Sequence, residues 1–238
     1  MKKLIIIPAY NEEQNIVNTV RLTREMSPDF DVIVINDAST DHTGEMCEQN
    51  NIPHLNLPVN LGIGGAVQTG YQYACRHNYE IAVQVDADGQ HNPEFLKIMA
   101  DKLIEADADM VIGSRFIENE GFQSSFTRRL GIIFFSKLIK LLTGATITDP
   151  TSGLRMAGKR AIKLFAQDYP SDYPEPETDV ALVSRGYKVV EIPVIMNERQ
   201  GGASSINFLK SVYYMIKVTL AIFVEVSRGK GLIWKRQE

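Results

Sequence analysis

The stretch Val83-Gln84-Val85-Asp86-Ala87-Asp88-Gly89-Gln90-His91 sets two carboxylates one residue apart, directly after an apolar run from Ile81 to Val85. In an extended chain, residues i and i+2 point to the same side. Asp86 and Asp88 can therefore face one spot just beyond the end of a strand. Carboxylates held that close repel each other unless something positive sits between them. A divalent cation with hard oxygen ligands is one solution, and Gln90 continues the series with a neutral oxygen. The other reading is a plain turn, since Asp and Gly are both turn formers. The triplet alone leaves the two open.

Composition narrows the classes. A chain of 238 residues is one large domain, or one domain with an appendage. Its formal net charge of −4 gives no basic footprint for nucleic acid. Cys47 and Cys75 have neither zinc-site nor redox-pair spacing, which fits a reducing cytoplasm. The apolar run before Pro8 is too short for a signal peptide and reads as a buried first strand. No apolar run approaches the roughly 20 residues that span a bilayer.

The elements that must position the carboxylates alternate. Strands are expected at 3–7, 31–35, 54–57, 80–85 and 109–113. Helices follow from Asn11 as cap, from about Thr43, through Arg76, from Asn92 and Pro93 to about Glu105, and over 124–143. That alternation predicts an α/β fold with a mostly parallel sheet covered on both faces. Polar clusters recur at the carboxyl ends of the strands: Tyr10, Asn11 and Glu12; Asp37; Asp86 and Asp88; Arg115. Ligands bind at that edge of open α/β sheets. Later come an Asp149–Gly153 loop, helices at 158–166 and 177–185, and a strand at 187–196 that Pro193 marks as an edge. A helix over about 206–227 closes the chain, so we divide it into a catalytic unit at 1–205 and an associating segment at 206–238.

Pro8-Ala9-Tyr10-Asn11-Glu12, Asn36-Asp37-Ala38-Ser39-Thr40-Asp41 and Asp86-Ala87-Asp88 resemble, in order and spacing, the family 2 inverting glycosyltransferases of GT-A fold. Asp88-Gly89-Gln90-His91, Gly113-Ser114-Arg115, Asp149-Pro150-Thr151-Ser152-Gly153 and the Arg199, Gly202, Ser204 loop are similar to the dolichol-phosphate mannose synthase branch. The resemblance spans roughly residues 4–205. It implies a UDP- or GDP-sugar donor, with Pro8, Tyr10, Glu12 and Asp37 on base and ribose. It implies Mg²⁺ or Mn²⁺ on Asp86, Asp88 and Gln90, with Asp86, Ala87 and Asp88 at the diphosphate. Arg115, Arg199 and Ser204 would meet phosphate. The family loop normally ends in lysine where this chain has Ser205, which weakens that carry-over. Gly64, in Gly62-Ile63-Gly64-Gly65-Ala66, is implied as backbone packing beside the nucleotide. A Rossmann fingerprint would follow the first strand, where this chain has Pro-Ala-Tyr-Asn.

Two acceptor classes make different demands. A sugar hydroxyl needs a general base, and Glu175, Glu177 and Asp179 are the place to look, with Glu177 the first choice. A polyprenyl phosphate is already ionised and needs cations instead. Arg128 and Arg129 precede an apolar stretch broken by Lys137 and Lys140, the pattern of a helix on a membrane surface or of a buried helix with snorkelling lysines. In the last helix, Lys210, Tyr214, Lys217, Glu225 and Arg228 form one narrow polar stripe. The remaining apolar face is too wide for one small domain and calls for membrane, a second subunit or a small membrane-protein partner. Trp234, Lys235 and Arg236 suit anionic headgroups. The expectation is an enzyme peripheral to the cytoplasmic membrane face, making polyprenyl-linked sugar for cell-wall or surface polysaccharide. A hydroxyl-acceptor transferase and a non-catalytic scaffold of the same fold are the alternatives.

Overall fold

The computed structural model describes residues 1–118, 126–196 and 208–234. The first half alternates as β1 (Lys3–Ala9), α1 (Ile16–Met26), β2 (Asp31–Asn36), α2 (Thr43–Gln49), β3 (His54–Asn56), α3 (Gly62–Arg76), β4 (Ile81–Gln84), α4 (Phe95–Glu105) and β5 (Met110–Ser114). The second half adds α5 (Phe126–Thr143), β6 (Arg155–Gly158), α6 (Lys159–Gln167), α7 (Pro174–Ser184), β7 (Val189–Pro193) and α8 (Phe208–Trp234). The seven strands form one sheet in the order β3-β2-β1-β4-β6-β5-β7. Every pairing is parallel except those of β6, which runs antiparallel to both β4 and β5.

Alternating side chains of the buried strands supply two cores. Leu4 and Ile6 of β1 face a layer containing Tyr71, Phe135, Phe165, Val180, Val218 and Ile222. Ile5 and Ile7 face Ile16, Val20, Cys47, Leu96 and Met99. Burying each such aliphatic side chain contributes roughly 1.5–3 kcal/mol. Pro193 lies in β7 at the sheet edge, where a missing donor costs least.

Several boundaries differ from the sequence pattern. Asn11 does not cap α1. It takes a left-handed conformation (φ 57°), and its Oδ1 accepts from the Thr40 N–H at 2.8 Å, tying the β1 and β2 loops together. The Glu12 carbonyl receives the Asn15 and Ile16 amides instead. Asn92 accepts from the Glu94 N–H, making a local turn before α4 begins at Phe95. Helix α7 starts at Pro174, three residues earlier than expected. Strand β6 was not expected, because four residues opening on an arginine carry no alternating pattern.

That arginine organises the second half. Arg155 is 2% exposed. Its Nε donates to the Ser152 carbonyl at 2.6 Å, and Nη1 and Nη2 reach the two Asp179 oxygens at 2.5 and 3.2 Å. The Thr178 hydroxyl and Pro150 carbonyl take its remaining protons. Removing one partner of a buried pair leaves an uncompensated charge. Arg155→Ala should therefore cost about 3–5 kcal/mol, lowering Tm by roughly 10 °C, with Asp179→Leu beside Arg155→Met recovering most of it. Denaturant and thermal unfolding measure this; wild-type stability in Arg155→Ala would show that the pair does not anchor α7.

Candidate active site

At the carboxyl ends of β1, β2 and β4 lies a cleft of about 380 Å³. Pro8, Ala9, Tyr10 and Glu12 line it from the β1 loop, Asp37 from β2, and Asn60, Gly62, Ile63 and Ala66 from the start of α3. Gln84, Asp86, Ala87 and Asp88 close one side, and Glu175 reaches in from α7. Three of the four loops expected to meet, those after β1, β2 and β4, do line the cleft, while Arg115 at the end of β5 does not.

The β1–β2 wall is preorganised by its own backbone. Asp37 is 3% exposed, its N–H donates to the Ala9 carbonyl, and its Oδ1 accepts from the Leu61 N–H at 2.7 Å. The next residue, Ala38, turns through φ 54°, a conformation that a residue with a Cβ adopts at a cost. Glu12 Oε2 accepts from Asn15 Nδ2 at 2.9 Å. Tyr10 is 49% exposed, so one face of its ring is open to a flat partner.

The carboxylate pair is held from below. Gln84 Nε2 donates to Asp86 Oδ1 at 2.9 Å, and the Gln90 N–H donates to Asp88 Oδ1 at 3.1 Å. The Thr19 hydroxyl donates to the Ala87 carbonyl, fixing the triplet to α1. His91 accepts the Asp86 N–H on Nδ1 at 3.0 Å, which puts the proton of a neutral ring on Nε2, 3.6 Å from Asp86 Oδ2. Among the described residues no three His, Cys, Asp or Glu side chains form a closed metal cage. The pair is open toward the cleft, and Gln90 approaches it through its backbone.

Arg115 lies beyond this pair and is turned toward protein. Its Nε and Nη2 form a fork on Asp149 at 2.7 and 2.8 Å, and Nη2 also donates to the Thr151 hydroxyl at 3.0 Å. Asp149 is fully buried, and its N–H and that of Thr148 donate to the Glu191 carboxylate. Burial pushes Glu191 up, against those two amides. The loop ends at Gly153, where a Cβ would stand 3.1 Å from Asp86 Oδ2. Any larger residue there would need Asp86 to give by a few tenths of an ångström.

Other expected site residues fall elsewhere. Glu177 does not line the cleft: it faces α8, and burial, with Glu225 next, raises its pKa. Asp179, the second choice of base, is wholly buried and occupied by Arg155. Gly64 does not line the cleft either; a Cβ there would stand 2.1 Å from the Pro170 carbonyl, so its role is close packing against the loop before α7. Arg128 and Arg129 are exposed in the first turn of α5. Partial desolvation, then Arg115, lowers the Arg128 pKa, while Asp149 and Glu175 oppose this, which sets its charge beside the site. Arg199, Ser204 and Ser205 lie outside the described residues. Glu175 was one of three acids named for a base, not a chosen one, and it is the one the fold brings to the cleft.

Beside the site, α8 packs on α7 and α5. Val218, Ile222 and Val226 are buried, Glu225 pairs with Arg185 at 3.0 Å and Arg228 at 2.8 Å, and Lys217 pairs with Asp172. Tyr213, Ile216, Leu220, Phe223 and Val224 stay exposed, as do Leu130, Ile133, Phe134 and Leu141 of α5. Among the described residues no helix is long and apolar enough to cross a membrane.

Comparison with known proteins places this architecture. An undecaprenyl-phosphate mannosyltransferase of Micrococcus luteus is 32% identical over 218 residues, spanning 87% of this chain and 88% of the relative. A polyprenol monophosphomannose synthase of Mycolicibacterium smegmatis is 28% identical over 243 residues, spanning 98% of this chain and 91% of that one. The solved structure of glucosyl-3-phosphoglycerate synthase from Mycobacterium tuberculosis, in complex with Mn²⁺, UDP-glucose and phosphoglyceric acid, matches with a TM-score of 0.71 at 16% identity. It covers 95% of this chain and 80% of that one, a likeness of fold. The glycosyl transferase family 2 model matches residues 4–165, and with strand order, cleft and relatives in agreement, the chain belongs to that family and is a glycosyltransferase of GT-A fold.

Proposed function

We propose that this enzyme transfers a sugar from a UDP- or GDP-linked donor to a polyprenyl phosphate, with inversion at the anomeric carbon. The observation that carries the reading is the pair of relatives above, which span 98% and 87% of the chain and are named for polyprenol monophosphomannose and for undecaprenyl phosphate. Of the three acids considered as a base, Glu177 turns to α8, Asp179 is held by Arg155, and Glu175 reaches the cleft. A phosphate acceptor is already ionised at neutral pH and needs no carboxylate to deprotonate it.

Tyr10, Glu12, Asp37 and the backbone at Pro8 would hold base and ribose, and Asp86, Ala87 and Asp88 the diphosphate. An acceptor phosphate oxygen attacks the anomeric carbon from the face opposite the diphosphate. The new C–O bond forms as the bond to the β-phosphate breaks, and the nucleoside diphosphate leaves with the electron pair. Two adjacent hard carboxylates open to the cleft fit Mg²⁺ or Mn²⁺, which keeps part of its shell for substrate phosphates and water. Asp86 and Asp88, with Gln90, would hold such a cation, and its charge would stabilise the departing diphosphate. Arg115, Arg128, Arg129, Arg199 and Ser204 would face the acceptor phosphate. Arg115, its fork committed to Asp149 and Thr151, would act there through its charge rather than by direct contact.

The segment 206–238 would bring the enzyme to the cytoplasmic membrane face as a peripheral protein. The exposed apolar side chains of α8 and α5, with Arg128, Arg129, Lys137 and Lys140 around the latter, support a lipid surface as occupant. A homodimer or a small membrane protein on that face would replace the lipid contact. The product would serve cell-wall or surface polysaccharide glycosylation.

Purified protein with a divalent cation, undecaprenyl phosphate and a panel of UDP- and GDP-sugars should yield an acid-labile lipid-linked sugar; transfer to free glycans alone would end this reading. Chelation should abolish turnover and Mg²⁺ or Mn²⁺ restore it. Asp88→Ala should lower kcat/KM by roughly 100-fold or more with an unchanged Tm, and a fully active variant would show the cation site to be misplaced. Ile216→Glu with Leu220→Glu should reduce cosedimentation with anionic vesicles. Undiminished vesicle binding would exclude α8 as the docking helix, and loss of a dimer in solution would assign that face to a second copy.

A further inference from the structure

Among the described residues, Glu175 is the cleft acid whose side-chain acceptor capacity is left unused. Its neighbours in charge are each matched: Asp37 by the Leu61 amide, Asp86 by Gln84, Asp149 by Arg115, Asp179 by Arg155. Glu175 receives its own backbone N–H, and no other described residue donates a hydrogen bond or a formal ion pair to its carboxylate. Burial raises its pKa, Arg155 pulls it down, and Asp86 is among the charges acting on it. A carboxylate held in a cleft in this way costs free energy unless a donor arrives from outside.

Its position selects the donor. Glu175 shares the cleft with Gln84 and the Asp86–Asp88 side, and Pro174 and Pro176 flank it in the first turn of α7. The adjacent Thr178 and Asp179 are locked to Arg155, so the carboxylate stands on a rigid element. Next to a diphosphate on the acidic pair, the group that reaches Glu175 is the transferred sugar, whose hydroxyls are hydrogen-bond donors.

We propose that Glu175 is a specificity-determining residue that accepts hydrogen bonds from ring hydroxyls of the donor sugar. This rests on the transferase reading above. A site built to satisfy hydroxyls rejects analogues that lack them, because a buried polar group is then left unpaired. The same carboxylate disfavours hexuronic acid donors by like-charge repulsion.

The test is binding of the donor apart from turnover. Isothermal titration of the full-length protein with nucleoside diphosphate should give equal affinity for wild type, Glu175→Gln and Glu175→Ala. The matching nucleotide sugar should bind Glu175→Ala roughly 10- to 100-fold more weakly than wild type, with Glu175→Gln between them. A series of 2-, 3-, 4- and 6-deoxy donors should contain at least one that binds wild type weakly and is indifferent to Glu175→Ala. Losses that add for all four deoxy donors would overturn the assignment. So would a variant that loses kcat with unchanged donor binding, which is the signature of a general base. So would equal loss of nucleoside diphosphate and nucleotide sugar, the signature of a collapsed cleft. If wild type binds the donor but Glu175→Ala binds it equally, this inference fails alone; if wild type binds no nucleotide sugar, the transferase reading fails first.

Discussion

Two buried guanidinium–carboxylate forks hold the loop on which the active site leans. Arg115 grips Asp149 at the head of the loop, and Arg155 takes the Pro150 and Ser152 carbonyls while gripping Asp179. Between them the backbone of 149–153 has little freedom. Gly153 at its end lies so near Asp86 and His91 that an added Cβ would meet both, so the loop and the acidic pair are packed together. Buried pairs of this kind return little net stability, since desolvation offsets most of the attraction. What they supply here is geometry: breaking either fork leaves a charge with no water to receive it, so alternative packings of the loop are disfavoured.

The same economy explains β6. An antiparallel strand between β4 and β5 interrupts an otherwise parallel sheet, and its first residue is Arg155. Strand pairing on both sides fixes the Cα of Arg155, and the fork carries that precision across to α7. Helix α7 in turn brings Glu175 to the cleft. A sequence of contacts therefore runs from the middle of the sheet to the cleft.

Much of the cleft wall built from β1, β2 and β4 was legible in the sequence, because it follows from periodicity. Continuous β-branched strands ending in Asp37 and Asp86 put those carboxylates at one edge whatever the details of the loops. The acceptor side was not, and the reason is angular. Residues two apart on a helix point about 200° away from each other. Helix α7 starts at Pro174, and on it Glu175 turns toward the cleft and Glu177 toward α8. The Arg155 pairing of Asp179, distant in sequence, then holds the helix in that orientation. Gly64 was expected as backbone packing, and the neighbour that demands a glycine there, the Pro170–Ser171 backbone, is distant in sequence.

Helix α8 inverts the usual arrangement of an amphipathic helix. Its polar stripe does not face water alone: Glu225 is buried between Arg185 and Arg228, Lys217 is tied to Asp172, and Tyr214 meets Tyr173 and Phe135. One apolar side enters the core through Val218, Ile222 and Val226, while the other, with Leu220 at 61% exposure, faces out. A helix seated only to protect a core would place its charges outward and its leucines inward. The Lys217 contact lands on the 168–173 segment, whose Pro170 and Ser171 carbonyls abut Gly64 at the start of α3. The outward apolar face and the nucleotide wall are thus two sides of one packed unit. A lipid-borne acceptor arriving along α8 would meet a donor site already held by the same contacts.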